Sequence, residues 1–100
     1  MTVKFILNDK GTPSGKLADA EIHFDDGYFQ GLKLVGFAVW ERRSGNGRNV
    51  TFPARSYSVN GERRSFALLR PTTDSTSQDR LRDFILQAYH EHDEQLAIAE

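Results

Sequence analysis

The sequence predicts an α+β domain: a twisted antiparallel sheet of about five strands followed by one C-terminal helix. Three observations predict it. Through the first two-thirds of the chain, apolar residues alternate with polar ones at the period of a pleated strand. Turn signals, Asp26-Gly27 and Asn60-Gly61 foremost, cut that stretch into hairpin-length pieces. After Ser75 the apolar spacing changes to the three-and-four rhythm of a helix.

The first strand covers residues 3–7, with Val3, Phe5 and Leu7 sharing a face. Gly11, Pro13, Ser14 and Gly15 make a loop. The second strand then sets Ala18, Ala20, Ile22 and Phe24 against Asp19, Glu21 and His23, one face apolar and the other wet. Asp26-Gly27 is read as the turn into a long third strand over residues 28–43. There Val35, Phe37 and Val39 share one face while Leu34, Ala38 and Trp40 take the other, as in a central strand or one at a subunit contact. Gly31 and Gly36 are candidate bulge or bend positions.

Ser44-Gly45-Asn46-Gly47 breaks the run as a flexible loop. A fourth strand covers residues 49–58 and contains Pro53, which has no N–H for a ladder and so belongs at an edge or a bulge. Asn60-Gly61 is the strongest turn signal in the chain, since both residue types accept left-handed geometry. The fifth strand, residues 63–70, carries Phe66 and Leu68 and stops at Pro71. Ser75-Thr76-Ser77-Gln78 has the form of a capping box. Beyond it Leu81, Phe84, Ile85, Ala88 and Tyr89 form a stripe for packing on the sheet, with Leu96 continuing it.

At 100 residues the chain makes one domain, 1–100, and no internal repeat or linker divides it. The balance of 38% hydrophobic against 27% charged residues is that of a folded globular protein rather than a disordered one. No apolar run reaches bilayer length, and the first residues lack the basic and apolar regions of a secretory signal. A cytoplasmic location with no membrane partner is the expectation. Without cysteine there are no disulfides, thiolate metal sites or cysteine nucleophiles.

Charge is unevenly placed. Seven arginines lie between Arg42 and Arg70, a stretch bounded by Glu41 and interrupted by one acid, Glu62. Acids flank it: Asp19, Glu21, Asp25 and Asp26 before, Glu91, Asp93, Glu94 and Glu100 after. A net charge of −1 therefore coexists with a basic segment able to face a polyanion. Tyr57 and Trp40 are the aromatics in reach of stacking on bases, although Trp40, ending an apolar strand, suits a core or subunit interface better.

Chemistry of other kinds finds little support. His90 and His92 project from a helix roughly 200° apart and cannot both grip one ion with His23, Asp25, Glu91 or Asp93. Ser56, Ser58 and Ser65 lack the signature of an activated nucleophile, and Gly45-Asn46-Gly47 lacks the lysine and helix of a phosphate loop. The expectation is a protein with no catalytic residues, no metal and no cofactor.

The segment running Leu81-Arg82-Asp83-Phe84-Ile85-Leu86-Gln87-Ala88-Tyr89-His90 resembles a helix of the stage V sporulation protein G family, with its aliphatic residue, Asp, apolar pair and closing Tyr-His. Phe52-Pro53-Ala54-Arg55 is similar to that family's hydrophobic-Pro-small-basic segment, Asn60-Gly61-Glu62 to its Asp-Gly-Glu hairpin, and Pro71 to its pre-helix proline. The family consists of small bacterial cytosolic proteins associated with site-specific DNA binding and, in some members, RNA binding.

The resemblance implies a homodimer formed by strand pairing and a non-catalytic regulator of transcription that contacts DNA or RNA. It assigns phosphate contacts first to Arg55, then to Arg63 and Arg64 after the hairpin and to Arg80 and Arg82 at the helix start. Gln78 and Asp79 stand where the family carries more positive charge. Arg42, Arg43 and Arg48 join the candidate set through clustering alone. The competing expectation is a protein-interaction adapter or structural dimer that uses an exposed strand edge.

Overall fold

The computed structural model describes residues 1–99 except Ser44 and Asn46, and side chains as far as Gln95. It has the predicted α+β character, with six antiparallel strands in two sheets and one C-terminal helix. The elements are β1 (Thr2–Leu7), β2 (Lys16–His23), β3 (Lys33–Glu41), β4 (Arg48–Thr51), β5 (Ala54–Val59), β6 (Glu62–Ala67) and α1 (Thr76–Ala99). Strands β1 to β4 form a meander in sequence order, and β5–β6 is a separate two-stranded sheet.

Helix α1 covers one face of the meander. The register places Phe5, Ala20 and Phe37 in one row, and Leu7, Ala18, Val39 and Val50 in another. Ala18, Ala20, Ile22, Phe37, Val39 and Val50 are buried there with Ile85 and Tyr89 of the helix. The small residues Ala18 and Ala20 at the middle of β2 leave room for Ile85, which is fully buried. Leu81 and Leu86 flank it, whereas Phe84, expected in the stripe, sits at the rim and stays 39% exposed. Leu7, at the end of an edge strand, is likewise on the core face yet exposed. Leu96 lies outside the described side chains.

Two features lock the helix onto β4. The Arg48 guanidinium lies over the Tyr89 ring, 4.9 Å from its centroid, and donates to Asp93 Oδ2 at 3.1 Å. Burial pushes the Tyr89 phenol above its ordinary range and Asp93 adds to the rise, with Arg48 opposing them. At the other end the Thr76 N–H donates to Asp74 Oδ1 at 3.0 Å, so the acceptor at the helix start is Asp74 rather than the expected Ser75 side chain.

The third strand is shorter than the sequence predicts. Residues 28–31 form a turn, not strand, because the chain closes at Phe24, whose N–H donates to Leu32 O at 3.0 Å and whose carbonyl accepts from Gly31 N–H at 3.1 Å. The Asp26-Gly27 pair thus sits within a wider loop rather than forming a two-residue hairpin turn. Gly36 does mark a bulge. Ala20 pairs with Phe37 and Ile22 with Leu34, so one extra β3 residue is accommodated between them. That residue reverses the expected faces: Leu34 packs on the core and Val35 is exposed.

The predicted fourth strand is two strands in different sheets. β4 pairs with β3 only as far as Ala38↔Thr51. Pro53 is buried beside the bulge, where a Cβ added to Gly36 would lie 3.1 Å from Pro53 Cβ. With no N–H to donate and its ring against Gly36, Pro53 turns the chain off the sheet at an edge, as a proline must. The next residues make the β5–β6 hairpin, closed at its root by Leu68 N–H donating to Pro53 O at 3.0 Å. The loop over residues 44–47, read from sequence as flexible, falls partly outside the described residues.

Candidate nucleic-acid interface

The β5–β6 hairpin is exposed at all twelve of its strand positions. Its tip is the expected tight turn, with Asn60 and Gly61 at φ of 52° and 82°. A two-residue turn fixes which side chains share a face. Arg55 opposes Phe66, Tyr57 opposes Arg64, and Val59 opposes Glu62. These six lie together, because directly paired residues project to the same side. The reverse face carries Ala54, Ser56, Ser58, Arg63, Ser65 and Ala67.

Arginine and aromatic side chains therefore alternate in a two-by-two check on one face. A third arginine completes it: Arg70 lies over Phe66, with Cζ 3.8 Å from the ring centroid, and its Nε–H donates to Ala67 O at 2.8 Å. Arg64 pairs with Glu62 at 3.3 Å across open solvent, a contact that contributes little and is easily exchanged for another anion. Three arginines against one carboxylate leave this face positive. Tyr57 remains 42% exposed and Phe66 48%, with Arg70 occupying one side of the Phe66 ring.

The other predicted site residues are dispersed. Arg63 is on the hairpin but on its reverse face. Arg42 and Arg43 sit at the far end of β3, about 20 Å along the strand from Gly36 and the hairpin root. Arg48 is engaged with Tyr89 and Asp93. Arg82 donates to Asp79 at 2.9 Å and lies 6.0 Å from the Phe52 ring, while Arg80 borders a depression with Met1, Ser77 and Phe84 on the opposite flank of α1. The structure brings Arg55 and Arg64 together with Tyr57 and adds Arg70 and Phe66.

Phe66 and Arg70 were missed as site residues in the sequence reading. For Phe66 the signal was available, since Asn60-Gly61 dictates the pairing and so the faces, whereas Arg70 lies beyond the paired residues. Trp40 is half-buried on the uncovered face of the meander, its Nε1–H donating to Thr51 Oγ1 at 2.8 Å. Of the histidines, His90 contacts Glu94 at 3.1 Å and His92 packs against Phe5 and Tyr89. Among the described residues, no helix is long and apolar enough to cross a membrane. Compared with family models, curated proteins and solved structures, the chain finds no match.

Proposed function

We propose that this protein is a non-catalytic, nucleic-acid-binding regulator in the cytoplasm, and that the Arg55, Arg64 and Arg70 face of the β5–β6 hairpin is its contact surface. The observation that carries the reading is a two-stranded ribbon, exposed at every strand position, on which arginines converge with aromatics on one side. Guanidinium groups suit phosphate oxygens, and exposed aromatic rings suit the faces of bases. The strands-then-helix order agrees with what the stage V sporulation protein G resemblance implies, and a homodimer would present the face twice. An isolated two-stranded hairpin is marginal in water, which favours a state in which a partner or ligand covers part of it. The adapter reading rests on the open outer edges of β1 and of the hairpin.

Fluorescence anisotropy against labelled DNA and RNA at several salt concentrations tests the proposal. Arg55→Ala with Arg64→Ala is compared with Arg43→Ala with Arg63→Ala, which removes equal charge away from the face. The first pair should weaken binding at least about tenfold, two charged hydrogen bonds being lost, and the second by no more than about threefold. Equal losses would reduce the effect to bulk charge. No binding at low salt would return the function to the strand edges.

A further inference from the structure

We propose that the hairpin face takes a single-stranded polynucleotide, with Tyr57 and Phe66 as stacking platforms for bases and Arg55, Arg64 and Arg70 as phosphate contacts. This rests on the nucleic-acid reading above and names its substrate class. In a duplex the base faces are stacked on each other, and only edges and phosphates are offered to a protein. The exposed Tyr57 ring, and the Phe66 ring with Arg70 over it, would then meet little but polar groove. A single strand offers the missing surface, because every unstacked base has a π-face.

The spacing fits. Residues two apart on a strand are about 7 Å apart, and diagonal cross-strand neighbours about 7–8 Å. Tyr57 and Phe66 are such a diagonal pair, at about twice the 3.4 Å stacking rise of a nucleic-acid strand, which suits bases splayed apart rather than stacked together. Arg55 and Arg64 occupy the other diagonal, so each ring has a guanidinium directly across the ladder for the adjoining phosphate. Arg70 is already placed: its Cζ lies over the Phe66 ring and its Nε–H donates to Ala67 O, so neither terminal nitrogen is spent on that bond. A guanidinium fixed in that way is itself a stacking surface. The reverse face, of Ala, Ser and Arg63, offers no ring.

The test uses the full chain and labelled twelve-nucleotide probes: oligo-dT, oligo-U, a duplex of equal length, and an oligo-dT with abasic sites. Single strands should bind at least about tenfold more tightly than the duplex at matched salt. Tyr57→Leu should weaken single-strand binding by roughly 5- to 150-fold, the range for losing one stacked base, without changing the salt slope. Tyr57→Phe should restore it. Abasic sites in the probe should reproduce the loss, and the ranking of oligo-dT against oligo-U assigns DNA or RNA as the preferred source.

Duplex binding as tight as single-strand binding would overturn the inference, as would a neutral Tyr57→Leu. So would a Tyr57→Leu variant that falls from dimer to monomer in sedimentation, which would make the face a subunit contact. Each of these leaves the broader reading standing if Arg55 and Arg64 still matter. Absence of binding to every probe removes both.

Discussion

Gly36→Ala probes the joint between the sheet and the hairpin. Gly36 has φ of +108°, where an L side chain is strained by about 1–3 kcal/mol. Its new Cβ would also stand 3.1 Å from Pro53 Cβ, 3.4 Å from Pro53 Cα and 3.5 Å from Pro53 Cγ. These atoms belong to a buried, rigid ring and to backbone, so none can swing aside, and overpacking of that kind costs about 1–3 kcal/mol. The sum is about 2–6 kcal/mol, against a total stability of about 5–15 kcal/mol for a domain of this size. Gly27→Ala is the control, because Gly27 has φ of +75° with nothing within 4 Å of an added Cβ. It should lose about 1–2 kcal/mol from backbone strain alone. Urea unfolding followed by circular dichroism measures both, and the Gly36 midpoint should fall by roughly 1–2 M. Losses from Gly36→Ala and Gly27→Ala within about 0.5 kcal/mol of each other would refute the idea that Pro53 is pressed against the bulge.

Arg48→Ala and Asp93→Ala should each lower stability by about 1 kcal/mol in urea unfolding. The double variant should lose less than the sum, because ring, guanidinium and carboxylate form one contact. Asp74 gives a pH prediction: the Thr76 backbone N–H, then the Thr76 hydroxyl, holds its carboxyl below the ordinary 3.8. A depressed folded-state value means the contribution is present above 3.8 and is lost as the pH falls through the lower folded value. Asp74→Asn, which still caps but does not titrate, should leave neutral-pH stability nearly unchanged and flatten the acid limb of urea midpoint against pH.

What was legible in the sequence is what local chemistry decides. Asn60-Gly61 sets its own turn, the helix period shows in Leu81, Ile85 and Tyr89, and Gly36 was a bulge candidate because glycine alone tolerates the required φ. What was hidden depends on pairing between distant residues. The bulge at Gly36 exchanges Leu34 for Val35 on the core face, which no count along β3 can detect without knowing where β2 registers. Pro53 was expected at an edge or bulge, but that it divides residues 49–58 between two sheets follows from its approach to Gly36, seventeen positions earlier in the chain.

The same distinction governs the site. Arginine density along the chain does not distinguish a guanidinium already engaged with protein, such as Arg48 or Arg82, from one facing solvent. Hairpin parity does separate faces: after a turn at residues 60 and 61, Arg64 must join Arg55 and Tyr57 while Arg63 points away. Charge-neighbour reasoning treats Arg63 and Arg64 as equivalent, but the pleat makes them opposites. A polyanion on the aromatic face would therefore register the loss of Arg64 as a lost direct contact and the loss of Arg63 only as a change in the distant field, which salt screens within about 10 Å. The difference between those two single variants should thus survive as salt is raised from low to moderate concentration, while the smaller Arg63 effect fades.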